Sequence, residues 1–178
     1  MEDRVIVDSS FSAIINAPFE KIDIPRWCFT LSEDEYQRCS PAHFAAGSTT
    51  ARDGRRMSIN VEVIGGTPVV QHYVEVIAEK HHLVLESLSD LFTPSGPTKI
   101  HVRWELSAKP LGGTQCEFTN RVRTRATDEF SEFLGRQGIP FEVFRAQRQP
   151  MSIAHNRDET PMFAASIERH ALRNEVLA

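Results

Sequence analysis

Between about Arg56 and Arg125 apolar and polar residues alternate in short runs, and from Thr127 onward helical spacing takes over. Met57, Ile59, Val61 and Val63 alternate with Ser58, Asn60 and Glu62, the mark of a half-buried strand. Gly65-Gly66 follows as a hairpin turn. Val69 to Ala78, His82 to Leu88, Lys99 to Ser107 and Cys116 to Arg125 supply four further strands, punctuated by Pro94-Ser95-Gly96-Pro97 and Gly112-Gly113. A strand within Ala45 to Thr50 makes six, and Phe11 to Asn16 at the front makes seven. From Phe19 to about Cys39 the signals are helical but broken. Pro25 rules out one continuous helix, and Ser32 before Glu33-Asp34-Glu35 reads as an N-cap followed by first-turn acids. Ser40 to His43 reads as a loop. Thr127-Asp128-Glu129 caps the terminal helical region, which is interrupted at Gly138-Ile139-Pro140, resumes at Phe141 and bends near Pro161.

No repeat, low-complexity tract or linker divides the 178 residues, so residues 1–178 are read as a single α+β domain. The order is strand, two short helices, long antiparallel meander, terminal helix. It resembles the helix-grip fold of the START and birch-pollen-allergen (SRPBCC) superfamily, and Ile14-Ile15-Asn16-Ala17-Pro18-Phe19-Glu20 is similar to that superfamily's strand-to-helix opening. The resemblance implies a curved antiparallel sheet of six to seven strands around a long C-terminal helix, with an apolar ligand cavity between them.

Composition narrows the function classes. An apolar content of 40% can build a sizeable core, and a net charge of −4 leaves no footprint for nucleic acid. Arg121, Arg123 and Arg125 alternate along one strand as its solvated face. Three cysteines, widely separated and without a Cys-x-x-Cys, argue against a disulfide framework or a cysteine zinc site. The first ten residues lack a signal-peptide pattern, and no apolar run approaches the roughly 20 residues that span a bilayer. The expected setting is cytoplasmic, with no membrane partner. The expected partner is a small hydrophobic or aromatic molecule, and a homodimer is one assembly the chain could form.

Strand faces locate the cavity wall. Cys116, Phe118, Asn120, Val122 and Thr124 share one face, and Val102, Trp104 and Leu106 face inward on the next strand. His101 and Glu105 are expected as a solvated pair. The strand from Val69 to Ile77 allows two exclusive readings, because a slip of one residue reverses every side chain. Either Val70, Val74 and Val76 are inside with His72 as a cavity histidine, or Tyr73 and Glu75 are inside.

His155 and Glu159 lie four apart on the terminal helix, so their Cβ atoms stand about 5–6 Å apart and can share a divalent metal. With His43 and Glu75 they make two imidazoles and two carboxylates, a set suited to zinc, or to iron or manganese with added water. This ordered set resembles the diacetylphloroglucinol and phloretin hydrolases, metal-dependent carbon–carbon hydrolases whose ligands run histidine, glutamate some thirty residues on, then histidine and glutamate four apart. The resemblance implies metal ligands at His43, Glu75, His155 and Glu159. Tyr73 would then be the proton donor, and Trp104, Phe118, Asn120, Val122, Phe144 and Met151 would meet the ligand. The other reading makes His155 and Glu159 an exposed helical pair worth a few tenths of a kcal/mol. The domain is then a carrier or sensor without metal.

Overall fold

The computed structural model describes residues 4–173. Strand β1 (Val5–Ile15) ends at Ala17-Pro18, and after a 3-10 turn two short helices follow, α1 (Ile24–Thr30) and α2 (Glu33–Cys39). Asp23 caps α1 by accepting from the Arg26 backbone N–H, with Pro25 in the first turn where its missing N–H costs nothing. Ser32 caps α2 by accepting from the Glu35 N–H. The meander runs through β2 (His43–Thr50), β3 (Arg56–Ile64), β4 (Thr67–Glu79), β5 (His82–Thr93), β6 (Gly96–Gly112) and β7 (Gln115–Ala126). All pairings are antiparallel and the spatial order is β1-β7-β6-β5-β4-β3-β2. Helix α3 (Asp128–Arg136) leads into α4 (Phe141–Arg173), which packs along β1 and against α2 and β7.

Two boundaries move. His43 is the first residue of β2 instead of the end of a loop, and Pro150 and Pro161 both lie inside one 33-residue helix. No helix among the described residues is long and apolar enough to cross a membrane.

The core is continuous from sheet to helices. Trp27, Tyr36, Phe118, Phe130 and Phe163 are its largest fully buried side chains. Trp27 donates from Nε1 to Ser166 Oγ (2.8 Å), and Ser166 donates to Glu35 Oε1 (2.8 Å), so a hydrogen-bonded chain ties α1 and α2 to α4. At the other end of the sheet Thr127 accepts from the Phe130 N–H (3.0 Å) and donates to Lys99 O (2.7 Å). Thr127→Ala removes both bonds and should lower stability by about 1–2 kcal/mol. Chemical denaturation measures this, and a loss under about 0.3 kcal/mol would show that the cap is dispensable.

Face assignment divides the sheet. On β6 and β7 the apolar faces turn inward as expected, with Val102, Trp104, Leu106 and Phe118 buried. On β3 the polar face turns inward: Ser58, Asn60 and Glu62 are buried while Met57, Ile59, Val61 and Val63 are half-exposed. On β4 the buried residues are Val69, Gln71 and Tyr73, and Val76 is 47% exposed. The Tyr73-inward reading of that strand is therefore the one realised.

Candidate functional site

Between the concave side of the sheet and α4 lies a cleft with about 730 Å³ of empty space, part of it open to solvent. Its wall is mostly apolar, with Leu91, Val102, Trp104, Val122, Phe144 and Phe163 among the lining residues. The polar groups converge on one region, where Glu62, His155 and Glu159 border the cavity and His43 lies behind them.

His43, Glu62, His155 and Glu159 bring one donor atom each within 4.8 Å of one another. Glu159 Oε2 is 3.1 Å from His43 Nε2 and 3.2 Å from His155 Nε2. Glu62 is 3.8 Å from each imidazole, through Oε1 to His43 and Oε2 to His155. Tetrahedral coordination at about 2.0–2.2 Å places donor atoms about 3.3–3.6 Å apart. The four side chains fit a single divalent cation, and the donor chemistry fits zinc, or manganese or iron with added water.

Outer contacts hold the donors in place. His43 Nδ1 donates to Tyr36 O (2.8 Å), which leaves Nε2 as the atom facing the cluster, and its ring stacks on Tyr36 with centroids 3.9 Å apart. The Tyr36 hydroxyl donates to Glu62 Oε1, and Gln71 Nε2 donates to Glu62 Oε2 (3.2 Å). Asn120 Nδ2 donates to Glu159 Oε1 (3.1 Å), while Trp104 Nε1 donates to Asn120 Oδ1 (2.8 Å) and fixes the amide's orientation. Outer partners of this kind orient ligands and tune their basicity.

Electrostatics follow from the enclosure. Burial alone would depress His155, but the bond to Glu159 and the charges of Glu159 and Glu62 outweigh it and push the imidazole up to about 9. Burial alone would raise Glu159, but the bonds from His155 and His43 bring it down to about 2. A raised histidine stabilises the fold fully below its unfolded value, near 6.5, and loses that contribution as pH rises through the folded one. Metal-free protein should therefore lose stability between about pH 6.5 and 9. Thermal melts across that range in the presence of chelator check it, and a flat or rising midpoint would contradict it. Burial also pushes the Cys28 and Cys39 thiols up to about 12, which removes them as nucleophiles at neutral pH.

Of the residues singled out in the sequence, His43, His155 and Glu159 meet and Glu75 does not. Glu75 shares the Tyr73 side of β4, but it accepts from the Arg56 backbone N–H (2.8 Å) and from Arg56 Nε (2.9 Å). Glu62 occupies the place assigned to Glu75. His72 is on the outer face, 3.8 Å from Asp90, and is not a cavity histidine. Trp104, Val122, Phe144 and Tyr73 line the cavity. Phe118 is sealed in the core away from the cavity wall, and Asn120 acts on Glu159 rather than on the cavity. Met151 is 39% exposed and lies over Gly65, where φ is 57° and a Cβ would run into its sulfur. The expected His101–Glu105 pair is also replaced, since Glu105 bonds His82 (2.8 Å) and His101 faces Glu86 (3.8 Å). Arg121 and Arg123 are engaged by Asp8, at 3.0 and 3.6 Å.

No protein-family model and no curated protein matches the chain by sequence. Solved structures do match. The Zhui aromatase/cyclase from Streptomyces sp. R1128 superposes with a TM-score of 0.62 at 12% identity over 94% of each chain. A START superfamily protein from Mycobacterium smegmatis gives 0.52 at 18% identity over 96% of this chain and 99% of that one. The di-domain ARO/CYC StfQ from the steffimycin biosynthetic pathway gives 0.60 at 11% identity over 95% of this chain and 53% of that one. The chain therefore has the helix-grip fold of the START type.

Proposed function

We propose that this protein binds a small aromatic or polyketide-like molecule in the cavity and, with a divalent metal held by His43, Glu62, His155 and Glu159, hydrolyses an acyl–ring carbon–carbon bond. The observation that carries this reading is the four-donor cluster, with an outer hydrogen bond on each carboxylate and on His43, at the wall of an apolar cavity. That two fold neighbours are named as aromatase/cyclases supports an aromatic or ring-forming class of ligand.

A metal bound there would supply Lewis acidity, polarising an acyl carbonyl or drawing the pKa of a water toward about 7. The protein's own groups do the rest. Trp104, Phe144, Val122 and Leu91 flank an aromatic ring and exclude water from it. Burial, and then the charges of Glu62 and Glu159, raise the Tyr73 phenol well above its ordinary value, so it keeps its proton at neutral pH. Tyr73 is thus the group to protonate the ring carbon. In the balanced reaction the ring–acyl bond breaks, water adds to the acyl carbon as a carboxylic acid, and the ring carbon gains a proton.

The test is turnover of 2,4-diacetylphloroglucinol and phloretin by chelator-stripped and by zinc- or manganese-loaded protein, read as release of the carboxylic acid. Metal-dependent release is expected, with Tyr73→Phe lowering kcat by about 10²–10⁴-fold. Binding of either compound without metal-dependent release would overturn the hydrolase and leave a carrier. One observation favours that second reading: His155 Nε2 stands 3.2 Å from Glu159 Oε2, a contact that a proton on the imidazole satisfies without any metal.

A further inference from the structure

Arg148 lies on α4 two turns before His155, about 10 Å along the helix axis, and lines the same cavity. The residue is 8% exposed. Among the described residues its guanidinium makes one hydrogen bond, from Nη1 to the Ile64 carbonyl (2.5 Å), at the end of β3. Among the described residues no carboxylate bonds the guanidinium. The nearest influence of that sign is Glu62 at longer range, and Glu62 is already held by Tyr36 and Gln71. Burial without a counter-ion disfavours the charge, yet a guanidinium stays protonated in proteins. A largely buried cation with no carboxylate partner among the described residues, in the wall of a ligand cavity, is placed to meet an anion from outside the chain.

From this arrangement we infer that Arg148 is the anion-recognition residue of the cavity, so that its ligand is an aromatic or polyketide-like acid. The carboxylate meets the guanidinium, and the part of the molecule farther along α4 meets the cluster of His43, Glu62, His155 and Glu159. This rests on the cavity reading above and names its ligand class. The geometry suits the inference: the planar fork of arginine takes a carboxylate through two parallel bonds, and a ring with one further substituent bridges the two turns of α4.

The probes are 2-naphthoate and its neutral counterpart 2-naphthamide, with affinities measured by calorimetry on the full-length protein, with and without chelator. The wild type is expected to bind the acid about tenfold or more tightly than the amide, the range of a hydrogen bond to a charged group. Arg148→Gln should abolish that preference while leaving amide affinity within about twofold, and Arg148→Lys should retain part of it. Thermal melts of both variants confirm folding, and the wild-type ratio stands as a test without them. Equal affinity of the wild type for both probes would overturn the inference while leaving the cavity reading intact. So would a preference for the acid that survives Arg148→Gln, since the anion would then sit at the metal cluster. Failure of both probes to bind at millimolar concentration would overturn the cavity reading and the inference together.

Discussion

His155→Ala should reduce the affinity for a divalent metal by on the order of a hundredfold or more, exceeding the about 10–100-fold that outer-shell partners contribute. The substitution removes one of four donors that stand within 4.8 Å of one another. The fold should survive, because His155 is 12% exposed at its side chain and borders a cavity, not the packed core. Asn120→Ala should have the smaller, outer-partner effect, since it frees Glu159 Oε1 without deleting a donor. Competition against a chromogenic chelator reads both constants. Equal metal affinity in the wild type and His155→Ala would mean that the ion, if bound, sits elsewhere.

Phe163→Ala should cost about 3–5 kcal/mol of stability, as large-to-small changes at fully buried aromatic sites do. Phe163 is 1% exposed, and its ring lies 5.4 Å from Trp27, 5.7 Å from His43 and 5.8 Å from Trp104 by centroid. Truncation opens a hole between the two short helices and the cavity wall, and it removes the ring that backs His43. The unfolding midpoint in urea should therefore fall, and metal affinity with it. A loss below about 1 kcal/mol would show that the cavity collapses onto the vacancy at little cost.

The architecture was legible because its signals are local. Alternation on β6 and β7, the Ser32 and Thr127 caps, and the Gly65-Gly66 turn each appear within a few residues, and the helix-grip order follows from their sequence. The alternation on the third strand marks a half-buried strand but does not say which face is buried, for a physical reason. Apolar residues mark the buried face only when that face meets a packed core. On β3 the concave side meets the polar end of a cavity, so Ser58, Asn60 and Glu62 turn inward and the apolar side faces out.

The hairpin held the missing information. A two-residue turn at Gly65-Gly66 pairs Ile64 with Thr67, and hence Asn60 with Gln71 and Ser58 with Tyr73. Placing Tyr73 inside therefore places Glu62 inside as well. Glu75 was favoured by its interval from His43, but the same pairing continues to set Arg56 opposite Glu75, where a cross-strand ion pair satisfies it. Tyr36, which stacks on His43 and holds Glu62, gave no signal at all, because its role depends on α2 packing over the end of β2 and β3. Arg148 carries no signal in the sequence, because its place depends on where α4 meets the end of β3 and the cavity.

His43, Glu62, His155 and Glu159 are proposed to hold one divalent cation. The most direct measurement is a crystal structure of untagged protein, with anomalous data collected on both sides of the zinc absorption edge and, in parallel, at the manganese and iron edges. A single anomalous peak is expected among His43 Nε2, His155 Nε2 and the Glu62 and Glu159 carboxylates. A map without such a peak from protein grown in zinc, with His155 Nε2 bonded directly to Glu159, would contradict it.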